Sequence, residues 1–215
     1  MKPIRQYRTT LADQAYQRLS DVMLSGAAAP GSRLVMDDIA EQLQISRTPV
    51  RDALLRLEHD GIVEHAGRRG YIVRELDSVD FNQIYQAREA VECYAAASVA
   101  DLGAGRDAAI AHISKVIESV ADTDLTDVRA TYEANLRVHR VFVEVLDNPR
   151  LLELFDAQWK SAPGMSMFAF YMQSKKRHIS IAKRHRPLIA ALRKGSKTAF
   201  DAMQEHIRAG LEASR

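Results

Sequence analysis

The feature that most restricts this fold is a change of hydrophobic period near residue 76. Before it, short segments of differing period alternate with turn residues. After it, apolar residues recur at helical spacing almost to the C-terminus, with hardly any alternating β-branched run. A chain of 215 residues patterned this way has room for two units. The expected organisation is mainly α, with a small mixed unit over 1–76 and an all-α antiparallel helical bundle over 77–215.

Composition narrows the setting. With 47% apolar and 27% charged residues, the chain is neither disordered nor collagen-like. No apolar run approaches the length of a membrane span, and no membrane partner is expected. Lys2, Arg5 and Arg8 are not followed by an apolar stretch, which argues against a secretory leader. Cys93 is the single cysteine, so no internal disulfide forms, and it reads as a core residue of a cytoplasmic protein. The formal net charge is only +2 and is shared almost evenly by the two units. Any nucleic-acid reading must therefore come from local arrangement rather than bulk basicity.

The first unit supplies such an arrangement. Leu11, Ala15, Leu19, Val22 and Met23 mark an amphipathic helix over 11–24, ended by Ser25-Gly26 and followed by the Pro30-Gly31 turn. A short helix over 36–43 turns Ile39, Ala40 and Leu43 inward. Ser46 is the N-cap candidate of a third helix through about His59, with Val50, Leu54 and Leu57 on one face and Asp60-Gly61 as its stop. Two short strands, 62–65 and 70–74, then flank Ala66-Gly67-Arg68-Arg69. Three helices and a hairpin are the order of a winged helix-turn-helix. Ser46, Arg47 and Thr48 project from the third helix's N-terminus, Arg51 lies one turn on, and Pro49 in the first turn costs no helical hydrogen bond. Hydroxyls and free amides at a helix start suit phosphates, and arginines suit guanine edges. Singly, these features describe a capped surface helix and a basic turn. In this order, with Gly67 and Gly70 around Arg68 and Arg69, they describe a surface for double-stranded DNA.

Residues 11–74 resemble the winged helix-turn-helix of GntR-family bacterial transcription regulators. The resemblance is carried by Pro30-Gly31-Ser32-Arg33-Leu34, by the run Ile45 to Leu54, and by Leu57 to Val63 followed by Arg69 to Val73. It implies DNA contacts from Ser46, Arg47, Thr48 and Arg51, and places Gly67 in the wing tip. Some members carry a DNA-contacting arginine early in the second helix, where this chain has Asp37. The helical second unit resembles the FCD type of effector domain, and its six expected helices suggest the shorter, VanR-like branch.

Those helices are expected near 79–102, 105–121, 125–146, 149–172, 180–194 and 196–213, punctuated by Gly103, Asp147-Asn148-Pro149 and Gly195. Polar residues interrupt their apolar stripes. In the third, Val128, Tyr132, Leu136, Val143 and Leu146 define an inward face along which Asn135 and His139 lie four apart. His185 lines up with Ile181, Leu188, Ile189 and Leu192, and His206 lies beside Met203 and Ile207. The three imidazoles are either core histidines, each satisfied by a hydrogen bond, or ligands converging on a metal with Asn135 as oxygen donor. The FCD resemblance implies a divalent metal at His139, His185 and His206, with Asn135 where that family usually has Asp. Zinc is the default for a histidine-rich site, with nickel, manganese and iron open.

Arg88 falls in the stripe of Phe81, Ile84, Tyr85, Val91 and Ala95, and a buried guanidinium must be paired. It either pairs with Glu92 one turn on or clamps the carboxylate of a small-acid effector. Trp159, Phe168, Phe170, Tyr171 and Met172 read as core or dimer surface rather than pocket wall, while Lys175, Lys176, Arg177, Lys183, Arg184 and Arg186 read as a solvated face, with a second DNA-facing or inter-domain surface as the alternative. His112 and His178 read as surface residues. With these features, the resemblance implies a non-enzymatic regulator that binds palindromic DNA as a homodimer and senses an organic acid. The alternatives are a regulator for which the metal itself is the signal, or a hydrolase using a histidine-bound metal.

Overall fold

The computed structural model describes residues 9–67, 70–159 and 179–213. Its contacts divide the chain into a unit ending at Glu75 and a unit beginning at Leu76. In the first, α1 (Leu11–Leu24) starts at a reciprocal cap. Thr10 Oγ1 accepts from the Asp13 amide at 3.1 Å, and Asp13 accepts from the Thr10 amide at 3.0 Å. Helices α2 (Met36–Leu43) and α3 (Arg47–His59) are joined through Gln44, which takes a left-handed φ of 53° so that its N–H can close the last turn of α2.

Helix α3 packs on α1 and α2 through Val50, Ala53, Leu54 and Leu57, all fully buried. Truncating a leucine such as Leu54 to Ala would cost about 2–5 kcal/mol. Two members of the expected α1 stripe, Leu11 and Val22, are exposed. The buried arc of α1 runs instead through Ala15, Leu19, Ser20 and Leu24, and Leu11 and Val22 fall just past its edge.

Strands β1 (Arg33–Leu34), β2 (Val63–His65) and β3 (Tyr71–Val73) form an antiparallel sheet in the order β1-β3-β2. Val63 pairs with Val73 and His65 with Tyr71, while Leu34 also pairs with Tyr71 from the other side. The hairpin closes with the Ala66 amide donating to the Gly70 carbonyl at 2.8 Å. Gly70 is required: its φ is +84°, and a Cβ there would lie 3.0 Å from the Leu34 carbonyl oxygen.

The second unit contains α4 (Ser78–Ala100), a 3₁₀ turn at Gly103–Gly105, α5 (Arg106–Ser119), α6 (Val128–Glu144), α7 (Pro149–Trp159), α8 (Ile181–Lys194) and α9 (Ser196–Ala213). The remainder of the expected 149–172 helix, with Phe168, Phe170, Tyr171 and Met172, lies outside the described residues, as do Lys175, Lys176, Arg177 and His178. Helix α6 begins three residues later than its stripe suggests. Asp124 accepts from the Thr126 amide and hydroxyl, making a turn, and Asp127 then caps the helix by accepting from the Ala130 amide at 2.9 Å. The inward face of α6 is also broader than expected: Val138, Val141 and Phe142 are buried, and Val128, Leu136 and Leu146 only partly.

Helix α4 is the core of this unit. It packs against each of α5 to α9, and its second half is buried on nearly every side through Val91, Glu92, Cys93, Ala95, Ala96, Val99 and Ala100. A helix enclosed in this way carries the polar side chains on its packed faces into the interior. Glu92 and Arg88 are such side chains.

Candidate functional site

In the first unit, the start of α3 gathers the expected DNA-facing residues. Ser46 occupies the N-cap with extended backbone, and its side chain makes no cap hydrogen bond to the helix. Its hydroxyl and the first-turn amides are therefore not spent on each other. Ser46, Arg47, Thr48 and Arg51 are all exposed at this end. Arg47 is engaged side-on by Asp37 in the first turn of α2, with Nε to Oδ1 at 2.6 Å and Nη2 to Oδ2 at 2.7 Å. Gly67 is exposed at the hairpin tip with φ +58°, and no atom would obstruct a Cβ there. Arg68 and Arg69 lie outside the described residues.

In the second unit, α6, α8 and α9 bring His139, His185 and His206 together, one ligand nitrogen from each within 4.8 Å of the others. His139 Nε2 is 3.1 Å from His185 Nε2 and 3.4 Å from His206 Nε2. The partners at the far side of two rings decide the tautomers. His139 Nδ1 faces Glu92 Oε2 at 2.6 Å, and His185 Nδ1 faces the Ile181 carbonyl at 2.7 Å. A carboxylate and a carbonyl only accept, so both Nδ1 atoms carry the proton and both Nε2 atoms turn lone pairs toward each other. Neutral rings cannot satisfy that contact between themselves. An ion of zinc's size bound tetrahedrally at 2.0–2.1 Å holds its nitrogen ligands about 3.3 Å apart. His139 Nε2 stands at about that spacing from each of the other two rings.

Glu92 was visible in the sequence as a partner for Arg88, but not as the hub it forms. Its Oε1 accepts from Arg88 Nε at 2.8 Å and from Trp159 Nε1 at 2.9 Å, while Oε2 accepts from His139 and, at 3.4 Å, from Arg88 Nη2. The Arg88 guanidinium also stacks 4.3 Å from the Trp159 ring centroid and 5.3 Å from that of Tyr85. Burial alone would raise the Glu92 carboxyl, but Arg88 and His139 outweigh it and hold Glu92 ionised, far below the usual carboxylate range. Burial lowers His139 more than Glu92 raises it, and burial with the neighbouring rings pushes His185 and His206 well below the usual imidazole range. All three rings are thereby held in the neutral form a metal requires.

Asn135 is buried one turn before His139, and its side-chain amide makes no hydrogen bond among the described residues. Arg88 is placed with Glu92 rather than left open: Glu92 takes two of its donors. Trp159, expected in the core or at a dimer surface, is buried in the core and also walls the His139 ring at 4.9 Å between centroids. His112 is exposed, and burial pushes the Cys93 thiol up to about 12, leaving it inert.

Comparison with known proteins decides the family. The profile of "Bacterial regulatory proteins, gntR family" matches residues 11–73, and that of the "FCD domain" matches residues 83–209. The chain belongs to the GntR family and carries an FCD domain. It is 31% identical over 131 residues to an HTH-type transcriptional regulator from the TAR-I ttuE-ttuC' intergenic region of Agrobacterium vitis, covering 60% of this chain and 77% of that one. It is 27% identical over 161 residues to the HTH-type transcriptional regulator McbR of Escherichia coli, covering 73% and 71%. The E. coli McbR structure shares the fold, with a TM-score of 0.70 at 21% identity over 96% of this chain and 98% of that one. This FCD regulator is thus a DNA-binding transcription regulator, and no helix among its described residues is long and apolar enough to cross a membrane.

Proposed function

We propose that the regulator binds a palindromic operator as a homodimer and senses a small organic acid at a divalent metal in its helical unit. Ser46, Arg47, Thr48 and Arg51 read the operator from α3, with Gly67, Arg68 and Arg69 at the wing. His139, His185 and His206 hold the metal through Nε2, and Asn135 is the candidate oxygen ligand one turn from His139. The observation that carries this reading is the convergence of lone pairs fixed by Glu92 and the Ile181 carbonyl. A carboxylate behind a ligating imidazole is the usual second layer of a metal site.

The donor set also suits an acid. Three neutral imidazoles and an amide leave both charges of a divalent ion uncompensated, where an aspartate ligand would cancel one. Arg88 and Glu92 sum to zero beside it. A bound metal would supply a Lewis-acidic anchor for a carboxylate, and Arg88, stacked on Trp159 and giving Glu92 its Nε and Nη2, would offer the acid a second contact through Nη1. Zinc fits the spacing, and nickel, manganese and iron accept the same donors. Regulation requires only that the acid bind the DNA-competent and incompetent states unequally, typically by about 1–3 kcal/mol.

A thermal-shift panel of small carboxylic acids, run on the purified protein and again after chelation, tests the reading. An acid at 100 times its Kd stabilises by about 2.7 kcal/mol, a shift of several degrees. The expected result is one acid whose shift disappears on chelation and returns with zinc. A shift that survives chelation would move recognition to Arg88 alone, and DNA affinity that follows metal without any acid would make the metal the signal.

A further inference from the structure

Arg47 is not presented to solvent as a free arginine. Asp37 holds it by the Nε–Nη2 edge, two short bonds to two carboxylate oxygens, and both side chains remain mostly exposed. The pair crosses the helix-turn-helix from the first turn of α2 to the first residue of α3. A side-on grip of this kind leaves the Nη1–Nη2 end of the fork pointing away from the carboxylate. That end has the donor spacing that guanine O6 and N7 accept.

We propose that Asp37 is a specificity-positioning residue, fixing Arg47 end-on for a guanine and keeping it off the phosphates. The inference rests on the reading of α3 as the DNA-reading helix. An unrestrained arginine at a helix start has many rotamers, and most of its poses near a duplex meet phosphate, which carries no sequence information. A carboxylate beside it removes those poses in two ways: it occupies one edge of the guanidinium, and it repels the backbone. Affinity falls for every sequence, but least for one that offers guanine to the remaining edge. An acidic residue in the first turn also suits the N-terminus of α2, which has Val35 and no side-chain bond at its cap. Asp38 stands in the same turn, so that need does not account for the bond to Arg47.

The experiment uses the full-length protein. Selection from a random duplex library gives a preferred duplex. Anisotropy titrations then measure wild type, Arg47→Ala, Asp37→Ala, Asp37→Asn and Asp37→Glu on that duplex, on its single-base-pair variants and on a random-sequence duplex. Thermal melts confirm that each variant folds. Arg47→Ala should lose about 10- to 100-fold of discrimination at one base pair. Asp37→Ala should lose most of the discrimination at that same pair, bind the random duplex several-fold tighter, and steepen the salt dependence by about one ion. Asp37→Asn should fall between, and Asp37→Glu should restore discrimination at least in part.

If Asp37→Ala tightens all duplexes equally and leaves the preference intact, the carboxylate is only a bystander charge and the proposal fails. Loss of preference at a different base pair from Arg47→Ala would make Asp37 a direct base reader and also overturn it. If Arg47→Ala itself keeps every preference, the assignment of α3 as the reading helix fails, and this inference falls with it.

Discussion

The two units each contain an arginine gripped by a carboxylate through its Nε edge, in opposite surroundings. Side-chain exposure is 73% and 59% for Arg47 and Asp37, and 8% and 1% for Arg88 and Glu92. The bond lengths are nearly alike, 2.6 and 2.8 Å, so local geometry does not distinguish them. Solvent does. In water the attraction is screened and such a pair contributes at most about 1 kcal/mol, so its consequence lies in where it leaves the guanidinium pointing. In the bundle the same pair is committed: removing one partner strands a charge that water cannot reach. The exposed pair leaves one end of its arginine open to a partner, and the buried pair ties α4 to α6 and α7 through His139 and Trp159.

The largest effect expected from breaking this contrast is at Glu92. Glu92→Ala strands the Arg88 charge and removes the acceptor of His139 Nδ1 and of the Trp159 indole. Chemical denaturation should show a loss of about 3–5 kcal/mol. Glu92→Gln keeps the volume and an acceptor, so it should recover part of that stability. Metal affinity by calorimetry should still drop roughly 10- to 100-fold, because the amide no longer anchors the imidazole as a carboxylate does. Unchanged stability in the alanine variant would mean that Arg88 finds water or another anion, and the buried-pair account would be wrong.

Acid should separate the two units next. In the chelated protein, His185 and His206 are lowered in the folded state, so the unfolded chain takes up protons first. Stability present above the unfolded imidazole value, about 6.5, is then lost as pH falls below it, by up to about 1.4 kcal/mol per pH unit for each ring. Glu92 has the same sign at lower pH: its folded value is depressed, so its contribution is present above the unfolded carboxyl value and disappears as pH falls toward the folded one. Melts of the chelated protein from pH 7.5 to 5 should fall steadily. His185→Phe, which keeps the ring's bulk without the proton site, should flatten the curve, and an unaltered slope would remove His185 from the account.

What the sequence made legible follows from what is local. The helix order of the first unit, the hairpin around Gly67, and the inward placement of His139, His185 and His206 all rest on 3.6-residue or two-residue periods within single segments. Strand β1 escaped because Arg33–Leu34 is too short to show a period and exists only by pairing with β3. The contact of Glu92 with His139 spans 47 residues, and that with Trp159 spans 67, so neither leaves a trace in spacing. Arg88 with Glu92 was visible because four residues in a helix make neighbours. Arg47 with Asp37 was not, because it depends on the angle of a turn whose geometry is set by Gln44 in the left-handed region.

The smallest expected effect sharpens the comparison most. A double-mutant cycle on Arg47→Ala and Asp37→Ala, read by denaturation in the absence of DNA, should return a coupling of about 0.2–1 kcal/mol that shrinks further in high salt. Each single variant should fold as wild type does, since neither side chain fills the core. A coupling of several kcal/mol, insensitive to salt, would show the pair to be a structural tie of the helix-turn-helix. Asp37 would then hold the helices rather than aim the arginine, and the contrast between the two pairs would dissolve. A small, salt-sensitive coupling leaves orientation as the remaining role, because an interaction contributing so little to folding can still decide which edge of a guanidinium meets the DNA.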